Sequence, residues 1–223
     1  SILKMKFLFS SLGKKIQIAV SGLLLATFLI FHLLNNLVLF TGPDNFNAMV
    51  SFLEGIKPII RIMEFGLVVI LLTHIVNAVY LTIYNKKAAT SRYSTVSKET
   101  SSVNSRSMIV SGSIILFFFI IHLRYIWYAF QAHLFVGSET YYDVLLRNQW
   151  GYLGHTPTAI FYIIAIFFIA SHLKHGIQSA LKTFGFLENS HWKPLYIGSV
   201  LFWAIIPLAF IFIVISIQVG IIN

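Results

Sequence analysis

Five long apolar runs dominate this chain, near residues 16–40, 59–84, 108–134, 156–182 and 195–222. Each is long enough to cross a hydrocarbon core, which takes about 20 helical residues. None alternates apolar with polar residues, so a helix, which satisfies its backbone hydrogen bonds internally, fits each run better than a barrel strand. Of the 223 residues 57% are hydrophobic and 10% charged, and the mean hydropathy is +0.82, which leaves too little polar surface for a water-soluble globule. The expected fold class is all-α, with residues 1–223 forming one integral membrane domain, a five-helix up-and-down bundle. The first run follows Gly13-Lys14-Lys15 with no small-residue cleavage pattern, so it reads as a retained span rather than a signal peptide.

A formal net charge of +9 raises the question of a nucleic-acid partner. The cations sit mostly at the edges of the apolar runs, where they set topology, and this argues against one. Lys4, Lys6, Lys14, Lys15, Lys86, Lys87, Arg92, Lys98, Arg106, Lys182 and Lys193, eleven of the sixteen cations, share one side of the membrane if the N-terminus is cytoplasmic. The opposite loops hold Lys57, Arg61 and Arg147 beside Asp44, Glu54, Glu64, Glu139 and Asp143. The N-terminus is therefore expected inside and the C-terminus outside. Trp127, Tyr128, Trp150, Tyr152, Trp192 and Tyr196 fall near the interfaces, where amphipathic rings belong. The polar stretch 85–107 is short and reads as a cytoplasmic connection, so chemistry must lie within the bundle or in another subunit.

The chain has no cysteine, which excludes disulfides, iron–sulfur ligation and thiolate metal sites and leaves histidine as the soft ligand. Ionisable residues inside a span are costly and usually functional. His32, His74, His122 and His172 lie near the middle of the first four runs, one in each, with His175 one turn beyond His172. The first and third runs travel outward and the second and fourth inward. His32 and His122 thus fall in the outer half, whereas His74 and His172 each lie ten residues from the inner end, roughly 15 Å. Two pairs at two depths result, each from alternate helices that face one another across a four-helix bundle. A bis-histidine haem fits such a pair, since it needs two axial nitrogens and an apolar slot.

Ser21-Gly22 precedes His32, and Ser111-Gly112 precedes His122, with ten residues from glycine to histidine in both. That places both glycines near the inner pair, where a missing side chain would let a haem lie against the backbone. Ala78 and Gly176, one turn beyond His74 and His172, are small for the same reason. A single histidine in a span is as often an interhelical hydrogen-bonding residue, and a Ser-Gly pair an ordinary packing position. Four histidines at matched depths are harder to explain that way. His133, His155 and His191 sit at span ends or in loops and read as interfacial. His175 lies on the same side of its helix as His172 and is an alternative ligand on spacing alone. Arg124 and Lys174 each follow a ligand candidate by two residues; both snorkel by default and are candidates for haem propionates.

These residues resemble those of a known family, the membrane cytochrome b subunits of bacterial succinate dehydrogenase and fumarate reductase, of the single-chain, five-helix, two-haem type. The likeness runs through Ser21-Gly22 to His32-Leu-Leu-Asn-Asn-Leu37, Phe40-Thr-Gly-Pro-Asp-Asn-Phe-Asn47, Glu54-Gly-Ile-Lys-Pro58, Asn104-Ser-Arg-Ser-Met108 leading to Gly112 and His122, and His172 to Gly176 with Gln178-Ser-Ala-Leu-Lys-Thr-Phe-Gly185. The resemblance implies that the axial histidine of the fourth helix is the one four residues before the glycine, His172. It implies two haems b, an inner one on His74 and His172 and an outer one on His32 and His122. It also implies an iron–sulfur subunit and a flavoprotein subunit on the cytoplasmic face, which carry the dicarboxylate chemistry, and a place in the bacterial inner membrane. This chain would relay electrons to a quinone, menaquinone being usual for the two-haem type.

A quinone near the outer haem needs proton exchange, for which Asp44, Glu54, Arg61 and Glu64 are the ionisable candidates on that side. Two rival readings stand beside this one: the cytochrome b subunit of a formate dehydrogenase or hydrogenase, and a transporter whose histidines relay protons.

Overall fold

The computed structural model describes residues 7–90, 101–186 and 192–223, with side chains for all of these except 86–90, 101–106 and 192. Lys4, Lys6, Arg92, Lys98 and His191 lie outside the described residues, as do the side chains of Lys86, Lys87, Arg106 and Trp192. Among the described residues every regular element is helical: α1 (Ser11–Leu37), α2 (Pro43–Gly55), α3 (Lys57–Thr90), α4 (Ser101–His122), α5 (Tyr128–Gln131), α6 (Tyr141–Leu145), α7 (Thr156–Thr183), α8 (Trp192–Val200) and α9 (Ile206–Gln218). A 3-10 turn, Val38–Thr41, extends α1. Wider π turns, Leu123–Trp127 and Leu201–Ile205, carry α4 into α5 and α8 into α9.

Five helical stretches are long and apolar enough to cross a membrane: Ser11–Thr41, Lys57–Asn85, Ser107–Gln131, Thr156–Thr183 and Lys193–Gln218, the first to fifth spans. α1 packs on α3 and α7, α4 packs on α7, and α9 lies against both α7 and α1. α1 and α7 therefore form the centre of the bundle. Phe31, Ile62, Phe65, Phe117, Phe167 and Phe212 are exposed, as side chains facing hydrocarbon should be.

The third span stops short of the expected residue 134. Its last helical residue is Gln131, and His133 takes a left-handed backbone (φ 48°), which reverses the chain. The π turn before α9 has a local cause. Pro207 has no N–H to donate and its ring crowds the carbonyl four residues back, so the turn widens ahead of it.

Most of the close-packed core lies at the end of the bundle expected to face outward. α2 starts with Pro43 in its first turn, where proline's missing N–H costs nothing, and Asp44 faces the positive end of the helix dipole. α6 starts with a capping box, the Thr140 and Asp143 side chains each bonding the other's backbone. Phe46 and Val50 of α2 are buried with Tyr141, Tyr142, Val144 and Leu145 of α6 and with Ile217 of α9. Withdrawing each large side chain from water contributes roughly 1.5–3 kcal/mol. Gly151 is required here on two counts: its φ is +96°, and a Cβ would run into the Tyr125 ring. This cap packs the ends of the first, third, fourth and fifth spans together with α2 and α6.

Candidate paired-histidine site

The bundle brings four histidines together in two pairs. The rings of His74 and His172 have centres 6.3 Å apart and planes at 67°. Those of His32 and His122 are 5.8 Å apart at 86°. Two imidazoles bound to one metal ion from opposite sides, at about 2.0–2.1 Å per nitrogen, put their ring centres roughly 6–6.5 Å apart. Edge-to-face ring packing spans the same range, so spacing alone does not separate ligands from packed rings. The atoms around Nδ1 do.

At the inner pair, His74 Nδ1 lies 3.2 Å from the Ile18 carbonyl oxygen and 3.1 Å from Ser21 Oγ. A carbonyl only accepts, so Nδ1 carries the ring proton. The Ser21 hydroxyl donates to the Gln17 carbonyl at 2.6 Å, which leaves its oxygen free to accept from the ring. His172 repeats the arrangement, with Nδ1 3.1 Å from Ser111 Oγ, whose hydroxyl donates to the Met108 carbonyl at 3.2 Å. With Nδ1 protonated, Nε2 of His74 is left as the lone-pair nitrogen, and His172 takes the same form where Ser111 accepts from its Nδ1. Fixing tautomer and ring orientation in this way is what an outer-shell partner does for a metal-binding histidine.

The neighbouring glycines serve the same two rings. A Cβ on Gly22 would lie 3.1 Å from His74 Cε1, and one on Gly112 would lie 3.5 Å from His172 Cε1. Both glycines thus stand at the level of the inner pair, and what lies closest to them is the imidazole, where the sequence had suggested the macrocycle. Each Ser-Gly pair is a two-part seat, the serine holding Nδ1 and the glycine admitting the ring. Gly176 has Met108 as its nearest neighbour, 3.9 Å from a Cβ, and Ala78 is half-buried beside Asn77, whose amide bridges to Gln17 at 2.8 Å.

The outer pair is held by aromatic rings. Phe28 stacks on His32 at 5.5 Å and Phe118 on His122 at 5.8 Å, each one turn before its histidine. Phe210 of the fifth span closes on His32 at 5.5 Å. His122 Nδ1 is 3.3 Å from the Tyr162 hydroxyl, and the ring of His32 has no hydrogen-bond partner among the described residues. Sequence reading passed over Tyr162, Phe28, Phe118 and Phe210. A signal was present for two of them, because Phe28 and Phe118 keep the same offset from Ser21 and Ser111 as the histidines do.

Among the described residues there is no cluster of three or more histidine or carboxylate side chains able to hold an ion without help. Each pair offers two nitrogens only, so further coordination has to come with the ligand. A planar macrocycle carrying its own four nitrogens meets that need, and the donor set fits haem.

The remaining candidates separate into groups. Arg61 donates to Glu64 and to Gln131, and lies over the Trp127 ring at 5.5 Å, while the Trp127 N–H donates to Glu64 at 2.8 Å. Glu54 belongs to a second cluster: it accepts from the Tyr141 hydroxyl, and Lys57 and His133 approach within 3.7 and 3.5 Å. Burial, then the Glu54 carboxylate, push the Tyr141 hydroxyl pKa up from its ordinary value. Asp44 joins neither cluster. In the outer cap, the Arg147 hydrogen bond holds Glu139 below the usual carboxylate range. Arg124 lies over the rings of Tyr125 and Tyr128, and Lys174 over Trp203. His155 bonds Thr158 at 3.0 Å near the start of α7.

Residues 16–99, which include most of the first span and all of the second with His32 and His74, match the family model described as the succinate dehydrogenase/fumarate reductase transmembrane subunit. No curated protein and no solved structure matches the chain. The match covers 84 of the 223 residues, and the five apolar spans fit a multi-pass membrane protein.

Proposed function

We propose that this chain is the two-haem cytochrome b anchor of a succinate:quinone oxidoreductase. It would relay electrons between an iron–sulfur subunit and a membrane quinone, menaquinone by the resemblance of its motifs, in the inner membrane of a bacterium. The observation that carries this reading is the pair of serine seats, Ser21 on His74 Nδ1 and Ser111 on His172 Nδ1, which support Nε2 of each ring as the ligand nitrogen. The family match over residues 16–99 supports the partner class.

His74 and His172 hold the inner haem, and His32 and His122 the outer one. Each haem supplies a one-electron iron couple when bound. The protein orients the imidazoles, excludes water with Phe28, Phe118 and Phe210, and keeps the two sites at separate heights. Lys14, Lys15 and Lys182 place positive charge at the inner end, where an iron–sulfur subunit and a flavoprotein subunit would dock. At the outer end the Arg61–Glu64 cluster and the Glu54–Tyr141 cluster are the groups able to exchange protons with a quinone.

Pyridine haemochrome analysis of the purified complex should give about two haems b per copy of this chain, by the ligand count, and the two partner subunits should copurify. One haem or none would overturn the two-site reading.

A further inference from the structure

α1 and α4 each carry a seat for the inner pair, Ser21-Gly22 and Ser111-Gly112, and ten residues beyond the glycine a member of the outer pair, His32 or His122. α7 has the same spacing in reverse. It carries His172 of the inner pair, and ten residues before it, roughly 15 Å along the axis, stands Tyr162. The Tyr162 hydroxyl lies 3.3 Å from His122 Nδ1, the ring nitrogen that the serines contact in His74 and His172.

Tyr162 is 4% exposed. Its ring meets Phe118 edge-on, with centres 4.9 Å apart and planes at 84°, and Phe118 in turn stacks on His122. A phenol buried among apolar rings has to find its polar partner within the bundle, and among the described residues His122 is the one it meets. Two contacts therefore set the His122 ring, Phe118 from its own helix and Tyr162 from α7.

α3 breaks the pattern. Ten residues before His74 it has Glu64, whose carboxylate accepts from Arg61 and from the Trp127 N–H. His32 is left with the rings of Phe28 and Phe210 and with no hydrogen-bond partner among the described residues. The outer pair is thus hydrogen-bonded at one histidine, whereas the inner pair is hydrogen-bonded at both.

We propose that Tyr162 is the positioning residue of the outer pair, accepting a hydrogen bond from His122 Nδ1 so that Nε2 is presented to the iron of the outer haem. This rests on the haem reading, because a hydroxyl can donate as well as accept and it is ligation at Nε2 that puts the ring proton on Nδ1. An acceptor in this place strengthens His122 as an electron donor and favours oxidised iron. With no second anchor at His32, this one bond governs the outer pair. Its loss should move the outer haem and leave the inner one, roughly 15 Å along the axis, where it was.

Spectroelectrochemical titration of the purified complex tests this, the outer component being the one lost in His32→Ala. Tyr162→Phe removes the hydroxyl and keeps the ring. Both haems should remain, and the outer midpoint should rise by the equivalent of a roughly fivefold change in the oxidised-to-reduced ratio, about 40 mV at 59 mV per tenfold, with the inner midpoint unchanged. Phe161→Leu alters packing beside Phe118 and Tyr162 without touching a hydrogen bond, and should leave the outer midpoint in place. Should Tyr162→Phe fail to assemble, 3-fluorotyrosine at position 162 keeps the shape, makes the oxygen a poorer acceptor and should raise the outer midpoint in the same direction. An outer midpoint unmoved or lowered, an equal rise in Phe161→Leu, or a shift confined to the inner component would overturn the proposal while the proposed function stands. Absence of haem from the wild-type complex would overturn the proposed function, and the role of Tyr162 with it.

Discussion

Ser21 and His74 are 53 residues apart in the chain and 3.1 Å apart in space, with the serine hydroxyl turned to its own helix so that its oxygen faces the ring nitrogen. The same relation joins Ser111 to His172. An acceptor on Nδ1 makes an imidazole a stronger electron donor to a metal and stabilises its oxidised form.

Removing that acceptor should therefore raise the midpoint potential of the inner haem. A neutral hydrogen bond is worth about 1 kcal/mol, which for one electron is roughly 40 mV. Ser21→Ala has a backup acceptor in the Ile18 carbonyl and should shift less than Ser111→Ala. Spectroelectrochemical titration reads both, and an unmoved inner component in Ser111→Ala would refute the seat.

Ligand replacement should act by pair. His74→Ala or His172→Ala should remove the inner absorption component, and His32→Ala or His122→Ala the outer one. His175→Ala should leave both in place. If the inner component vanished in His175→Ala and survived in His172→Ala, the ligand chosen on α7 would be wrong.

The glycine seats differ in tightness, and small substitutions should expose the difference. A methyl at Gly112 meets His172 at an ordinary 3.5 Å, whereas one at Gly22 meets His74 at 3.1 Å and forces the ring to give way. Gly112→Ala should retain inner haem, and Gly22→Ala should show it depleted or shifted. Leucine at either position overfills a packed interior, at a cost of about 1–3 kcal/mol. Haem content and titration of the inner component distinguish these cases, and equal tolerance of both alanines would contradict the geometry.

Acid should loosen the outer cap through Glu139. Arg147 holds this carboxyl below its unfolded value, so its contribution is complete above the ordinary glutamate pKa, about 4.3. It is lost as pH falls below that value through the lower folded one. Thermal melts across this range should show Glu139→Gln losing less stability on acidification than wild type. Parallel curves would remove the pair from the acid response.

Much of this was legible beforehand because a membrane leaves few choices: long apolar runs must be helices, and a histidine within one stands out at once. The level of Gly22 and Gly112 followed from counting residues along the axis. The hydroxyl anchors did not, because a serine beside a glycine also suits ordinary helix packing, and the partner of Ser21 lies on another helix. Tyr162 was hidden for the same reason. Asp44, Glu54, Arg61 and Glu64 looked equivalent as ionisable residues of one face. Only the fold of α2 against α6 separates Glu54, bonded to Tyr141, from Arg61 and Glu64, which meet Trp127 and Gln131.

On the proposed function the first and third spans each carry a ligand for one level and a seat for the other, which links the two sites in time as well as in space. During synthesis the outer pair, His32 and His122, is complete once the third span is inserted. The inner pair waits for His172 on the fourth, and by then Ser21 and Ser111 are already positioned by helices committed to the outer site. A chain truncated after its third span would retain a full outer ligand set and both waiting seats. On the proposed function, the outer ligand set is therefore complete one span before the inner one, opposite to the direction in which the inner face would receive electrons.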